Sequence, residues 1–419
     1  MLLSAYKLLN KQELRARNLM ALYKPADGIL RTNLTWEDLQ DGLFEAFGKQ
    51  AKLGPNKTVE DIGQAKGFLS KMCLITPDFP SNFKEAPAKF VVKICSQLPF
   101  SECKGAMGEL EEKFVHDDFS KAIEENVRKS HNNEVTLYSM LHKYNVQNVY
   151  HMKKFSEENP LKGYIIMDYI AGNLLYHIFD NFEPQDLLQA LRNVAALEAA
   201  SLKFTEEDKS LFIKDIFSEM FAKVMDEEYG SEELRESVDK LEEVISEIID
   251  ANLADHLSEL LSMQPVLCHG DLWSMNMIWK KGDRGPELAA FVDFQGAHFG
   301  CPTTDIVRLL TACLSAKDRR ENWEMLLSTF YSYLQDEVGD GEMPYNMEQL
   351  KQAYRLYFPL GAFLIVPMIG PLFAMAGSSD DVEYKKRVQK VIFEKTKGLL
   401  DGILTFHEEN KSMKIEPQN

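Results

Sequence analysis

The chain has 419 residues, of which 45% are hydrophobic, 27% charged and 11% aromatic. That length exceeds a typical single domain and predicts two lobes around a large core, while the composition excludes a disordered or fibrous polymer. Asp and Glu outnumber Lys and Arg by 65 to 47, giving a formal net charge of −18. With no basic patch to offset that charge, no general nucleic-acid partner is expected.

The six cysteines (Cys73, Cys95, Cys103, Cys268, Cys301 and Cys313) are scattered and form no disulfide framework, so reduced thiols in a cytoplasmic protein are expected. Lys7 and Lys11 interrupt the first apolar residues, and no signal-peptide core of sufficient length is expected there. Asn33-Leu34-Thr35 matches a glycosylation sequon, but Thr35 fits better as a helix cap. Thr35 and Asp38 have capping-box spacing, and Leu39, Leu43, Phe44 and Phe47 follow as an apolar stripe.

Residues 67–76 and 89–95 read as strands joined by a Pro- and Asn-containing loop. In the second strand Phe90, Val92 and Ile94 share one face, and Val91 and Lys93 share the other. Residues 102–145 are charged and mostly helical in pattern, and 163–170 form a short apolar strand before Ala171-Gly172. The domain expectation is an N-terminal lobe over 1–166, a hinge at 167–172, a C-terminal lobe over 173–406 and a flexible tail over 407–419. The second lobe reads as helical, with apolar residues recurring at helical spacing from Leu187 and a charged amphipathic run over 205–262. The fold class is therefore α+β, with a small mixed lobe and a larger, mainly helical one. Leu356–Ser379 carries no charge over bilayer-spanning length, but three prolines interrupt it, so buried helices are expected rather than a membrane span.

A strand-rich island at 265–295 carries the chemistry. Met277–Lys280 and Leu288–Val292 predict an antiparallel hairpin, which brings Asn276 and Asp293 side by side at its open end. An amide oxygen and a carboxylate suit a hard cation such as Mg²⁺, which takes few protein ligands alongside substrate phosphates. Five residues before Asn276 stands Asp271, within His269-Gly270-Asp271. The D-x-x-x-x-N spacing, then a hairpin and a second Asp, follows the catalytic-loop logic of phosphotransferases. An isolated Asp near a turn is usually a cap, but three such groups at compatible spacing are not. Cys268-His269 and His298-x-x-Cys301 lack paired zinc-site spacing, and no G-x-S-x-G suggests a hydrolase.

The block CHGDLWSMNMIW…FVDFQGAHFGCPTTDI resembles the choline-kinase-like and ecdysteroid-kinase-like family, in particular its nematode-expanded branch. That family is related to the aminoglycoside phosphotransferases. The resemblance runs from about residue 30 to 400, and it implies a bilobal protein-kinase-like fold using ATP and Mg²⁺ on a small-molecule alcohol. By this resemblance Asp271 is the catalytic base, Asn276 and Asp293 are metal ligands, and His269 belongs to the same loop. It also implies that Lys93 meets the ATP phosphates and a helix glutamate. Glu134 fits that role, standing four residues before Tyr138.

The 61–71 stretch would be the phosphate-covering turn, with Gly63 and Gly67 allowing backbone approach and Ser70 and Lys71 nearby; a plain hairpin turn is the alternative. Asp168, Tyr169 and Ile170 would supply adenine-binding backbone at the hinge. Asp305 caps a helix and, by resemblance, braces the catalytic loop. DFQ replaces DFG and no A-P-E follows, which disfavours a protein substrate. A non-catalytic, ATP-binding pseudokinase is the alternative. Trp273, Phe299 and Tyr357 offer aromatic faces for a cationic acceptor such as choline, or serve as core.

Overall fold

A computed structural model of the chain describes residues 21–63, 69–83, 86–99, 117–143, 149–214, 235–283, 285–366, 369 and 381–412. Gly67, Cys103, residues 215–234 of the 205–262 run and most of the second half of the uncharged 356–379 stretch lie outside the described residues. The chain divides into two compact units, Met1–Ala171 and Gly172–Asn419. The boundary falls inside the 167–172 stretch.

The first unit is built on a five-stranded antiparallel sheet in the order β1-β2-β3-β5-β4. Its strands are β1 (Thr58–Asp61), β2 (Ser70–Thr76), β3 (Phe90–Cys95), β4 (Val149–Lys153) and β5 (Tyr164–Asp168). Helix α1 (Trp36–Phe47) starts at a complete capping box, in which the Thr35 and Asp38 side chains each accept the other's backbone N–H. It lays Leu39 and Leu43 on one face of the sheet, against Phe90, Val92, Ile94, Cys73, Ile75 and Ile166. Alternation along β3 sends Lys93 and Cys95 to the opposite face, where Cys95 packs with Val127 of α2 (Asp117–Lys143).

The second unit is mainly helical: α3 (Leu187–Ser201), α4 (Glu206–Lys209), α5 (Arg235–Ile248), α6 (Ala251–Leu260), α7 (Thr303–Cys313), α8 (Ala316–Val338), α9 (Met347–Phe363) and α10 (Val382–Ser412). Leu187, Leu191, Val194 and Ala195 of α3 are buried, as their spacing predicts, while Leu188, expected on the same face, is half-buried. Two small sheets interrupt the helices. One pairs β7 (Val266–Cys268) with β10 (His298–Gly300), and the other runs β6 (Asn173–Leu174), β8 (Met277–Gly282), β9 (Gly285–Phe291). The class is thus α+β, an antiparallel sheet unit followed by a mainly helical unit.

Three local differences from the sequence reading have physical causes. Strands β1 and β4 escape it because they are short and half-exposed, with no apolar run to mark them. The hairpin reaches further than expected, to Gly282 opposite Gly285, because Gly285 adopts φ +136 and lets the strands continue to a tighter turn. The stretch from His407 is helical to Ser412 rather than tail, since buried His407 pairs with Glu247 (Nε2 to Oε2 3.1 Å). Among the described residues, no helix is long and apolar enough to cross a membrane. The first part of the uncharged stretch lies in α9, with Leu356–Ala362 buried.

Candidate active site

The loop after β7 is held from both ends. At its base, Ser201 of α3 accepts the Leu267 N–H (3.1 Å) and so fixes β7 against that helix. At its turn, the carboxylate of Asp305, in the first turn of α7, accepts the N–H of His269 (2.6 Å) with one oxygen and that of Gly270 (2.8 Å) with the other. Asp305 is almost fully buried, and burial pushes its carboxyl above the usual range while these donors pull it back. Gly270 sits at φ +82, and a Cβ there would lie 1.9 Å from the Gly296 carbonyl oxygen. Glycine is therefore required for the loop to pass the 294–296 turn.

His269 is buried, with both ring nitrogens committed. Its Nε2 lies 3.0 Å from the Val292 carbonyl, which only accepts, and its Nδ1 accepts the Asp271 N–H (3.3 Å). The ring is thereby set as the Nε2–H tautomer and ties the loop to the end of β9.

Asp271 is the loop's exposed end, its side chain 26% accessible. Its Oδ1 accepts from Arg308 Nη2 at 2.7 Å, and its Oδ2 accepts from Asn276 Nδ2 at 3.1 Å. The same Nδ2 also donates to the Asp271 carbonyl (2.8 Å), closing the short turn through 274–276. Spending Nδ2 in this way leaves Oδ1 as the Asn276 atom suited to a cation. The Val292 N–H donates to the Asn276 carbonyl (3.0 Å), so the hairpin sets Asn276 beside the Val292–Asp293 step. Asp293 itself is left-handed, at φ +67 and ψ +60. One amide oxygen and one carboxylate at a strand end fit a cation that shares its shell with phosphate oxygens. Among the described residues, no group of three or more His, Cys, Asp or Glu side chains forms a metal cluster.

In the first unit, Lys93 Nζ meets Glu134 Oε2 at 2.6 Å, with side-chain exposures of 6% and 1%. The pair spans 41 positions in sequence and joins β3 to α2. Strands β1 and β2 pair antiparallel, and at the end of β1 Asp61 organises its neighbours. Its Oδ1 accepts the Gly63 N–H (3.0 Å) and its Oδ2 pairs with Lys71 Nζ (3.0 Å). A Cβ at Gly63 would come 3.1 Å from Met72, so that glycine lies close against β2. Ser70 opens β2 opposite Cys95. At the end of β5, Asp168 accepts from Tyr150 Oη (3.1 Å) and from the Tyr169 N–H (2.9 Å), and Tyr169 and Ile170 are half-buried. Burial, followed by Asp168, pushes the Tyr150 hydroxyl up to about 12.

Residues 22–411 match the DUF1679 family, described as "Uncharacterized oxidoreductase dhs-27". The chain belongs to this family. It is 23% identical over 340 residues to the protein of that name in Caenorhabditis elegans, covering 77% of this chain and 41% of the relative. A 101-residue stretch is 33% identical to the "Uncharacterized kinase-like protein D1044.1" of Caenorhabditis elegans, covering 24% of this chain and 26% of the relative. The chain thus spans less than half the length of these curated relatives. Solved structures with a similar trace include choline kinase from Cryptosporidium parvum (13% identity, 91% of this chain, 98% of that chain, TM-score 0.48). Others are the ethanolamine kinase of Plasmodium vivax (14%, 82%, 84%, TM-score 0.41) and a GDP and kanamycin complex of APH(2") (14%, 85%, 97%, TM-score 0.42).

In this DUF1679 chain the structure adds two residues that the motif reading passes over. Asp61 is one, an acidic strand end with no local signature. Arg308 is the other, 37 positions from the carboxylate it holds. A signal for it does exist: Arg308 stands one turn after Asp305, a cation flanked by Ile306, Val307, Leu309 and Leu310. Such a residue needs a partner, because a guanidinium is costly to bury alone.

Proposed function

We propose that this DUF1679 chain transfers the γ-phosphoryl group of ATP to a hydroxyl of a small molecule. The observation that carries the proposal is the built loop around Asp271. Two backbone N–H groups are clamped by Asp305, and the carboxylate is gripped on one oxygen by Arg308 and on the other by Asn276. Phosphoryl transfer asks little covalent chemistry of a protein and much positioning, and a carboxylate so held is a pre-oriented partner for an acceptor hydroxyl.

Asp271 aligns the acceptor O–H and takes its proton as the acceptor oxygen bonds to the γ-phosphorus. The bond from that phosphorus to the bridging oxygen breaks, and ADP departs with the bond's electron pair. Asn276 and Asp293 would hold Mg²⁺, which supplies neutralisation of phosphate charge. Lys93, kept in place by Glu134, would neutralise phosphate charge of ATP. The oxidoreductase name belongs to a relative of which the match spans 41%. No G-x-G-x-x-G dinucleotide fingerprint occurs in the 419 residues, and nothing in the site asks for hydride chemistry.

The test is calorimetric titration with ATP, with and without Mg²⁺, of the wild type and Asp293→Ala. ATP is expected to bind, Mg²⁺ to tighten it, and the substitution to abolish the magnesium effect. Failure of ATP to bind under either condition refutes the phosphotransferase reading.

A further inference from the structure

The environment of Asp271 bears on the acceptor's chemistry, an inference that rests on the phosphotransferase reading. A bare carboxylate at the reacting position attracts ammonium-bearing alcohols. Here the carboxylate is half of an ion pair, with Arg308 Nη2 2.7 Å from its Oδ1. The guanidinium is held on further sides: Nη1 donates to the Leu364 carbonyl (3.4 Å), and its central carbon lies 5.8 Å from the Trp273 ring centre. The Arg308 side chain is only 13% exposed, so it does not swing freely into water.

The aromatic faces that the sequence offers for a cation are likewise taken. Trp273 is buried and carries Arg308. Phe299 has Lys209 Nζ 5.8 Å from its ring centre and packs against Phe204 and Phe212. Tyr357 is buried. An aromatic cage needs open ring faces for the ligand's charge, and these faces carry the protein's own cations or are closed off. An anionic acceptor is disfavoured for a different reason, since its charge would lie beside the carboxylates of Asp271 and Asp293.

We propose that the site takes the hydroxyl of an uncharged molecule, and that Arg308 is the specificity-determining residue that shuts out ammonium-bearing alcohols. The guanidinium neutralises the Asp271 carboxylate and covers Trp273, so a cationic acceptor meets like charge where it would seek a counter-ion.

The experiment uses the full chain with Mg-ATP, following ADP release with choline and ethanolamine as cationic probes and with a panel of uncharged polyols, glycosides and sterols. Choline is also titrated calorimetrically into protein saturated with a non-hydrolysable ATP analogue. The wild type is expected to show neither choline binding nor choline-dependent ADP release, and to turn over an uncharged alcohol. Arg308→Gln is expected to gain choline-dependent ADP release at least tenfold over wild type, whereas Arg308→Lys, which keeps the charge, stays at the wild-type level. Choline binding or turnover by the wild type overturns the inference, as does an Arg308→Gln protein that binds Mg-ATP and ignores choline. If Arg308→Gln does not fold, the wild-type arms still decide. Absence of Mg-ATP binding by the wild type refutes the phosphotransferase reading itself, whereas a choline reaction in a protein that binds Mg-ATP refutes the role of Arg308 alone.

Discussion

The Lys93–Glu134 pair lets a nucleotide role be separated from a folding role. At 2.6 Å and an effective dielectric of about 20, the Coulomb attraction is about 332/(20 × 2.6), or about 6 kcal/mol. Desolvating two buried ions costs several kcal/mol each, so the pair as a whole adds little net stability. Removing one partner is different, because it leaves a buried charge without its counter-ion. Lys93→Met or Glu134→Leu alone is therefore expected to cost about 3–5 kcal/mol, while the double substitution returns to within about 1–2 kcal/mol of the wild type. Urea unfolding of the four proteins measures this cycle, and calorimetry with Mg-ATP runs beside it. The double variant is expected to recover stability without recovering nucleotide affinity, since Lys93 is the proposed phosphate contact. Single substitutions that each cost under about 1 kcal/mol, or costs that simply sum, would refute the reasoning.

Two further outcomes follow from buried groups. Asp305→Ala strips acceptors from two buried backbone N–H groups, each a hydrogen bond to a charged group, and is expected to lower unfolding free energy by about 3–6 kcal/mol. Asp305→Asn, which keeps one acceptor oxygen, is expected to cost roughly half, and equal costs for the two would count against the bidentate clamp. His131 is held down from 6.5 to about 4 by burial, so its imidazole is neutral in the folded chain while the unfolded chain takes up the proton first. This stabilisation is present above about 6.5 and is lost as pH falls toward about 4, amounting to about 3 kcal/mol. Unfolding at stepped pH should show the decline, and His131→Gln should flatten it; an unchanged slope would assign the acid sensitivity elsewhere.

How much of this was readable beforehand depends on how local each feature is. Asp271, Asn276 and Asp293 are tied by a short turn and a hairpin, so their placement near one another follows from spacing alone. Lys93 is legible from the cost of a lysine on a buried strand. Its partner Glu134 needed the family resemblance, because 41 residues and a helix intervene. Arg308 is a tertiary partner, and only the packing of α7 against the loop brings it to Asp271. Strands β1 and β4 fail for a different reason: half-exposed edges need no apolar alternation, and alternation is the signal by which strands are read. The Asp61 clamp on Lys71 likewise depends on the β1–β2 register, which no local pattern specifies.

Asp293 illustrates how one position answers to two selections at once. Its backbone lies in the left-handed region, which Asn, Asp and Gly tolerate better than other residues. Its proposed chemistry, by contrast, asks for a carboxylate, which neither Asn nor Gly supplies. A saturation library at this codon would therefore yield two rankings, one for cellular abundance headed by Asp, Asn and Gly, and one for phosphate transfer that Asp alone leads. The distance between those rankings measures, at a single residue, how far the demands of the chain turn and of the reaction have come to coincide.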